Sequence, residues 1–263
     1  MSGYSFVSGE PFPEGGPRRP DVAGHSVTEI PHEYGESHYN SIELSEDGQI
    51  VYAGAEKGDS SGPSIIRAFD ASDPTNLSQI GEISFEPFDT SDGWVFSITA
   101  DGSRLYVNFA GGLAIIDASD PSSMVLEHAL QPGVSGMVQL VSGYLYITDY
   151  GGQEVWYADA SDPTTLSKSD FTDSGGIFGV NYNAIFGIAA DPGGGPYLYI
   201  THHRVTPSTV AIIGPGGRPL PAGFSPTTPQ IASDALWGVA SRPAAGAYAM
   251  LGETYELVYV ATN

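Results

Sequence analysis

The sequence predicts an all-β fold, a five-bladed β-propeller of four-stranded antiparallel blades whose last blade is closed by strands from both termini. Three observations carry that expectation. A five-residue segment recurs, as Asp70-Ala71-Ser72-Asp73-Pro74, Asp117-Ala118-Ser119-Asp120-Pro121 and Asp159-Ala160-Ser161-Asp162-Pro163. The copies are 47 and 42 residues apart (117−70 and 159−117), the period of a structural repeat. A second landmark, an aliphatic residue followed by tyrosine, appears five times: Val51-Tyr52, Leu105-Tyr106, Leu145-Tyr146, Leu198-Tyr199 and Val258-Tyr259. Finally, apolar residues alternate over short runs broken by turns, and helical periodicity is essentially missing.

Each unit opens with an alternating strand: Ser41 to Leu44, Val95 to Ile98, Met137 to Leu140, Ile185 to Ile188 and Leu236 to Val239. Tight turns at Asp47-Gly48, Asp101-Gly102 and Ser142-Gly143 lead to the tyrosine-bearing second strand. A third strand runs into the recurring segment, at Ile65 to Phe69, Leu113 to Ile116 and Val155 to Ala158. A fourth follows it, as at Gln79 to Phe85 and Val125 to Leu130. A four-stranded unit repeated five times is the pattern of a propeller, because one blade cannot bury both faces of its sheet alone.

The whole chain, 1–263, is expected to form one domain. Its blades span about 36–89, 90–134, 135–180, 181–229, and 230–263 together with 1–35. Phe6 to Pro11 has the shape of the recurring turn, with Glu10-Pro11 standing where Asp120-Pro121 stands, and His25 to Ile30 reads as a fourth strand. The N-terminus thus supplies the strands that the last unit lacks, which removes exposed sheet edges. Unit four departs from the pattern at Gly214 to Gly217 and continues into a proline-rich loop.

Leu113-Ala114-Ile115-Ile116-Asp117-Ala118-Ser119-Asp120-Pro121 resembles the LVIVD-repeat family of propeller proteins. The resemblance covers three units clearly and two weakly. It implies a propeller of the kind found in bacterial or archaeal surface proteins, and no single reaction. A similar aspartate-serine-aspartate-proline turn occurs in the larger selenium-binding/methanethiol-oxidase propellers, which implies shared architecture only.

Composition narrows the function. Net charge is −22, and Lys57 and Lys168 are the only lysines. Such a surface repels nucleic acid and anionic membranes, so neither is an expected partner. It suits solubility or adaptation to salt. With no cysteine there is no disulfide, thiol nucleophile or zinc–thiolate site. No apolar run reaches the length of a membrane span, so no membrane insertion is expected. Met1 to Glu10 lacks the charged start and apolar core of a signal peptide, which leaves export open.

The recurring segments read as turn architecture. Asp73, Asp120 and Asp162 precede prolines that stop the third strand, and Asp70, Asp117 and Asp159 are expected to accept from turn amides. The alternative, calcium held by these carboxylates, falls short of the six to eight oxygens that ion takes.

Strand direction locates the candidate site. Residues just before strand one and just after strand two gather at one mouth of the channel. These include His38, Tyr39, Glu56, Trp94, Asp149, Tyr150, Asn183, His202, His203 and Asp234. The opposite ends carry mainly Gly, Pro, Ser and Asp turns. The expected ligand-binding set is His38, Tyr39, Trp94, Asp149, Tyr150, Asn183, His202, His203 and Asp234. His38, His202 and His203 with Asp149 or Glu56 could hold a divalent metal, the one cofactor considered. His38, His202, Tyr39 and Tyr150 are the candidates for acid–base catalysis. His202 and His203 are neighbours on a strand and point to opposite sides. His128 belongs on an outer strand. Trp237 is aligned with Phe96, Phe186, Ile42 and Val138, a packing position, and Trp156 is assigned to packing between blades.

The function these features favour is an extracellular or surface recognition module that binds a glycan, protein or small molecule at the mouth. The competing readings are a hydrolase or lyase acting there on a sugar or small ester, with or without metal, and a structural subunit of a phage tail or surface fibre.

Overall fold

The computed structural model describes residues 36–57, 62–73, 76–86, 88, 94–133, 136–149, 155–173, 185–190, 198–202, 210–213, 236–243 and 256–262. They form five antiparallel sheets in chain order. The first sheet contains β1 (Glu36–Leu44), β2 (Ile50–Lys57), β3 (Ser64–Asp70) and β4 (Ser78–Phe85), ordered as in sequence. The second repeats that meander with β5 (Val95–Asp101), β6 (Arg104–Phe109), β7 (Gly112–Asp117) and β8 (Val125–Leu130). The third has β9 (Val138–Val141), β10 (Tyr144–Thr148), β11 (Val155–Asp159) and a two-residue β12 (Thr172–Asp173). Among the described residues the fourth sheet has β13 (Ile185–Ala190), β14 (Leu198–His202) and β15 (Val210–Ile213), and the fifth has β16 (Leu236–Pro243) and β17 (Glu256–Thr262).

The first strands stand side by side. β5 packs against β1 and β2, β9 against β5 and β6, β13 against β9 and β10, and β16 against β13 and β14. The core lies between sheets. One cluster joins Tyr52, Ile66 and Ala68 of the first sheet to Val95, Ile98, Leu105 and Ile116 of the second. Another joins Tyr106, Leu113 and Ile115 to Val138, Leu145 and Ile147 of the third, and a further one joins Tyr146 and Val155 to Leu198 and Ile200 of the fourth. The period of two explains this arrangement: along β6, Leu105 and Val107 face backward and Tyr106 faces forward, so both faces of a sheet are apolar. Each fully buried Leu or Ile contributes about 1.5–3 kcal/mol relative to exposure.

Turn chemistry follows the sequence. Gly48, Gly102 and Gly143 take positive φ between strands one and two, and Ser142 does so as well. The recurring segment makes the same contacts in three sheets. Asp70, Asp117 and Asp159 accept from the Ser72, Ser119 and Ser161 amides, each at 2.9 Å. The alanine amides of Ala71, Ala118 and Ala160 donate to the Gln49, Ser103 and Gly143 carbonyls at 2.7, 2.7 and 2.8 Å, tying the end of strand three to the turn between strands one and two.

The segment also fastens one sheet to the one before it. Gly81 on β4 and His128 on β8 hold equivalent places, since they pair with Ala68 and Ile115, each two residues before the repeated aspartate. Gly81 lies directly against the Pro121 carbonyl of the second sheet. His128 Nε2 donates to the Leu166 carbonyl of the third at 2.7 Å, which places its proton on Nε2. Sheet three inserts 3-10 turns at Pro163–Thr165 and Lys168–Asp170 before β12, which the repeat pattern did not suggest.

Candidate functional site

At the mouth edge the start of each first strand faces the end of its second. Tyr39 pairs with Ala55, Val95 with Phe109, Ile185 with His202 and Leu236 with Thr262. A register shift recurs just inside this edge, between Tyr39 and Ser41, Val95 and Ser97, Ile185 and Gly187, and Leu236 and Gly238. Each is a β-bulge that leaves one residue without a pairing partner: Asn40, Phe96, Phe186 and Trp237.

The bulges correct one sequence alignment. Phe96, Phe186 and Trp237 are equivalent to one another but not to Ile42 and Val138. Ile42 pairs with Ala53 and Val138 with Ile147, the level at which Ile98 pairs with Val107. Phe96, Phe186 and Trp237 therefore occupy bulge positions at the mouth edge and not the packing position. The extra residue at Phe96, Phe186 and Trp237 could not be seen in sequence because it is itself apolar and stands two residues before Ile98, Ile188 and Val239, which leaves the alternation locally plausible.

Of the expected site residues, Trp94 is the best defined. It is 44% exposed, its carbonyl accepts from the Ala110 amide at 2.8 Å, and its ring lies 6.2 Å from that of Phe96. Phe109, opposite Val95, is buried and stacks on Phe88 at 5.7 Å, which fixes the strand end beneath Trp94. Asp149 follows β10 directly and is half-buried. His38 and Tyr39 lie at the mouth end of β1, Glu56 near the end of β2 and His202 at the end of β14. The register puts these four on the same edge of their sheets, with His38 and His202 on sheets one and four. Tyr150, Asn183, His203 and Asp234 lie outside the described residues. His128 is on outer strand β8, and Trp156 packs against the cluster between sheets two and three.

The neighbouring seam is polar. Asn108, one pair inward from Phe109, is fully buried; its Oδ1 accepts from the Gly136 amide at 2.8 Å, while Nδ2 has no partner among the described residues. Its partner Ser97 donates to the Val138 carbonyl at 3.3 Å. Thr148 Oγ1 accepts from the Met137 amide at 2.8 Å. The Asn108 and Ser97 bonds join sheets two and three below the edge, and the Thr148 bond ties the approach to β9 to the end of β10 within sheet three.

A second group of side chains was missed by sequence reasoning. Glu43, near the opposite end of β1, reaches the second sheet, where its Oε1 accepts from the Ala100 amide at 3.2 Å. Burial pushes its carboxyl up to about 7, against a partly offsetting pull from that bond. Gln139 Nε2 donates to Thr99 Oγ1 at 3.0 Å. The signal available was a glutamate at a strand-one position where the other units carry Thr99, Gln139, Ala189 and Ala240. Among the described residues no three His, Asp or Glu side chains converge as a metal site.

Residues 92–130 match the family model described as LVIVD repeat. No curated protein matches the chain. Among solved structures, a chain of the nidogen/laminin complex is similar at TM-score 0.50, with 11% identity over 77% of this chain and 68% of its own. A chain of hydrazine synthase from Kuenenia stuttgartiensis is similar at TM-score 0.52, with 16% identity over 81% of this chain and 54% of its own. Both are β-propeller proteins, and at such identities the likeness bears on fold alone. The chain carries an LVIVD repeat and has the antiparallel four-stranded sheets of a β-propeller. No helix among the described residues is long and apolar enough to cross a membrane.

Proposed function

We propose that this LVIVD-repeat propeller closes as a ring of five blades, completed by strands from both termini, and that its mouth is a recognition surface for a glycan outside the cell or on a surface. Closure is supported by the first sheet. Arg67 and Phe69 hold the places of Ala114 and Ile116, which pack back against the preceding sheet. Arg67 is 3% and Phe69 0% exposed, so that face of the first sheet is covered at β3. Ile42 and Leu44, on the same face near the axis, are the places of Ile98 and Ala100 and are 45% and 52% exposed, an apolar stripe that ring closure would bury. A sheet formed by β16 and β17 is the cover the repeat supplies.

The observation that carries the glycan reading is the aromatic edge. Trp94 is half-exposed, and the recurrent bulge puts Phe96, Phe186 and Trp237 at one level of three sheets. A half-exposed tryptophan such as Trp94 offers large, weakly polar contact area with little loss of side-chain freedom on binding, which suits the C–H faces of sugar rings. His38 and His202 on the same edge add hydrogen-bonding capacity. The surface charge of −22 opposes anionic ligands and favours neutral glycans.

A glycan array probed with the intact chain tests this reading, followed by Trp94→Ala, His38→Ala and His202→Ala on any sugar retained. Binding that falls with Trp94→Ala at unchanged melting temperature supports it. Retention of no sugar, or binding indifferent to all three changes, rejects it.

A further inference from the structure

We propose that Glu43, Thr99 and Gln139 form a site for a small primary ammonium ion where the first strands of three sheets meet, away from the mouth. The register sets the three at one level: each pairs with the landmark tyrosine of its own sheet, Tyr52, Tyr106 or Tyr146. Two of them converge on the same short piece of β5. Glu43 comes from the first sheet to the Ala100 amide, and Gln139 comes from the third to the Thr99 hydroxyl. The site needs only the first three sheets and so stands apart from ring closure and from the glycan reading.

Those two bonds use one carboxylate oxygen of Glu43 and the amide nitrogen of Gln139. The second Glu43 oxygen and Gln139 Oε1 make no hydrogen bond among the described residues, and Thr99 Oγ1 keeps acceptor capacity. Glu43 and Gln139 are half-buried, within reach of a small solute, and Thr99 is buried between them. Three acceptor oxygens match the three donors of a primary ammonium. A single carboxylate with neutral oxygens suits one positive charge; calcium takes six to eight oxygens.

Among the described residues, β2, β5 and β9 bring no cation to the level of Glu43. On β2 the ionisable residues are Tyr52, directly opposite, and Glu56 and Lys57 at the mouth end; on β5 there is Asp101; β9 has none. Desolvation without a positive partner is what raises the Glu43 carboxyl, and a bound ammonium ion supplies that partner. The net charge of −22 concentrates cations near the protein.

The experiment is a carboxyl-detected NMR titration of Glu43 in the full chain, assigned with Glu43→Gln, with methylammonium chloride as the probe. Sodium chloride and tetramethylammonium chloride at equal ionic strength are the controls. The expected result is a Glu43 pKa lowered by about one unit when methylammonium stands tenfold above its Kd, with no such shift in either control. Gln139→Leu should weaken the methylammonium effect by several-fold in a chain that still melts cooperatively, with a melting temperature lowered only by the loss of its bond to Thr99. A Glu43 titration that moves equally in all three salts, or not at all, overturns the proposal.

Discussion

Gly81 of the first sheet packs directly against the Pro121 carbonyl of the second. A Cβ at that position would enter the space of a backbone atom, which cannot swing aside as a flexible side chain can. The recurring Asp-Ala-Ser-Asp-Pro turn is therefore a clamp on the preceding sheet as well as the end of its own third strand. In the next seam the equivalent His128 reaches the turn by a hydrogen bond instead.

Gly81→Ala is expected to destabilise the chain by about 1–3 kcal/mol, because overpacking against backbone forces the two sheets apart. Gly133→Ala makes a useful contrast, since its Cβ would meet only the end of the Lys168 side chain, although its φ of 91° also strains an L residue. Urea denaturation of both variants measures the difference, and a Gly81→Ala midpoint equal to that of the parent would refute the clamp.

His128→Ala removes the donor to the Leu166 carbonyl and is expected to cost about 0.5–1.5 kcal/mol. His128→Gln, which keeps a donor amide, should recover part of the loss. Equal midpoints for the two variants would show that packing alone matters there.

Stability should depend on pH through groups of opposite sign. Glu43 is raised from 4.5 to about 7 by burial, so its protonated form is favoured in the fold; the stability it leaves in place below 4.5 is lost as pH rises to about 7. Glu43→Gln keeps an acceptor for the Ala100 amide and removes that loss. It should raise the melting temperature at pH 8 and leave it unchanged at pH 4, with roughly 3 kcal/mol as the upper limit of the gain. Asp70, Asp117 and Asp159 act in the other direction: hydrogen bonds from Ser72, Ser119 and Ser161 hold their carboxyls below 3.8, so their contribution is present above that value and disappears as pH falls through the lowered one. A Glu43→Gln gain that is the same at both pH values would remove Glu43 as its source.

Deleting residues 1–35 tests ring closure. The expected outcome is a large fall in melting temperature with new binding of a hydrophobic dye, because strands from the N-terminus would complete the last blade beside the first. An unchanged melting curve would mean that the fold does not need these residues to close.

Much of the architecture was legible. The period of two in Leu105 to Phe109, the Gly48, Gly102 and Gly143 turns and the repeated aspartates each act within a few residues, and local stereochemistry dictates them almost independently of context. Strand direction alone put Trp94 just before the first strand of its unit, and the structure leaves it half-exposed there. The bulge at Phe96 escaped because inserting one residue changes which side chains are equivalent without changing which residues are apolar. Glu43 escaped because a lone glutamate in an alternating strand reads as a solvated residue; only the approach of β5 takes water from it.

The sequence by itself determined the repeat, its strands and turns, and which residues lie at which end of each strand, since these depend on backbone preference and on alternation along the chain. The tertiary structure decided what each sheet meets. It put the Pro121 carbonyl on Gly81, Leu166 against His128, Glu43 on the Ala100 amide and Gln139 on the Thr99 hydroxyl. Such contacts join residues roughly 40 to 60 apart, and their energy comes from shape and desolvation at a seam that exists only after both sheets have formed.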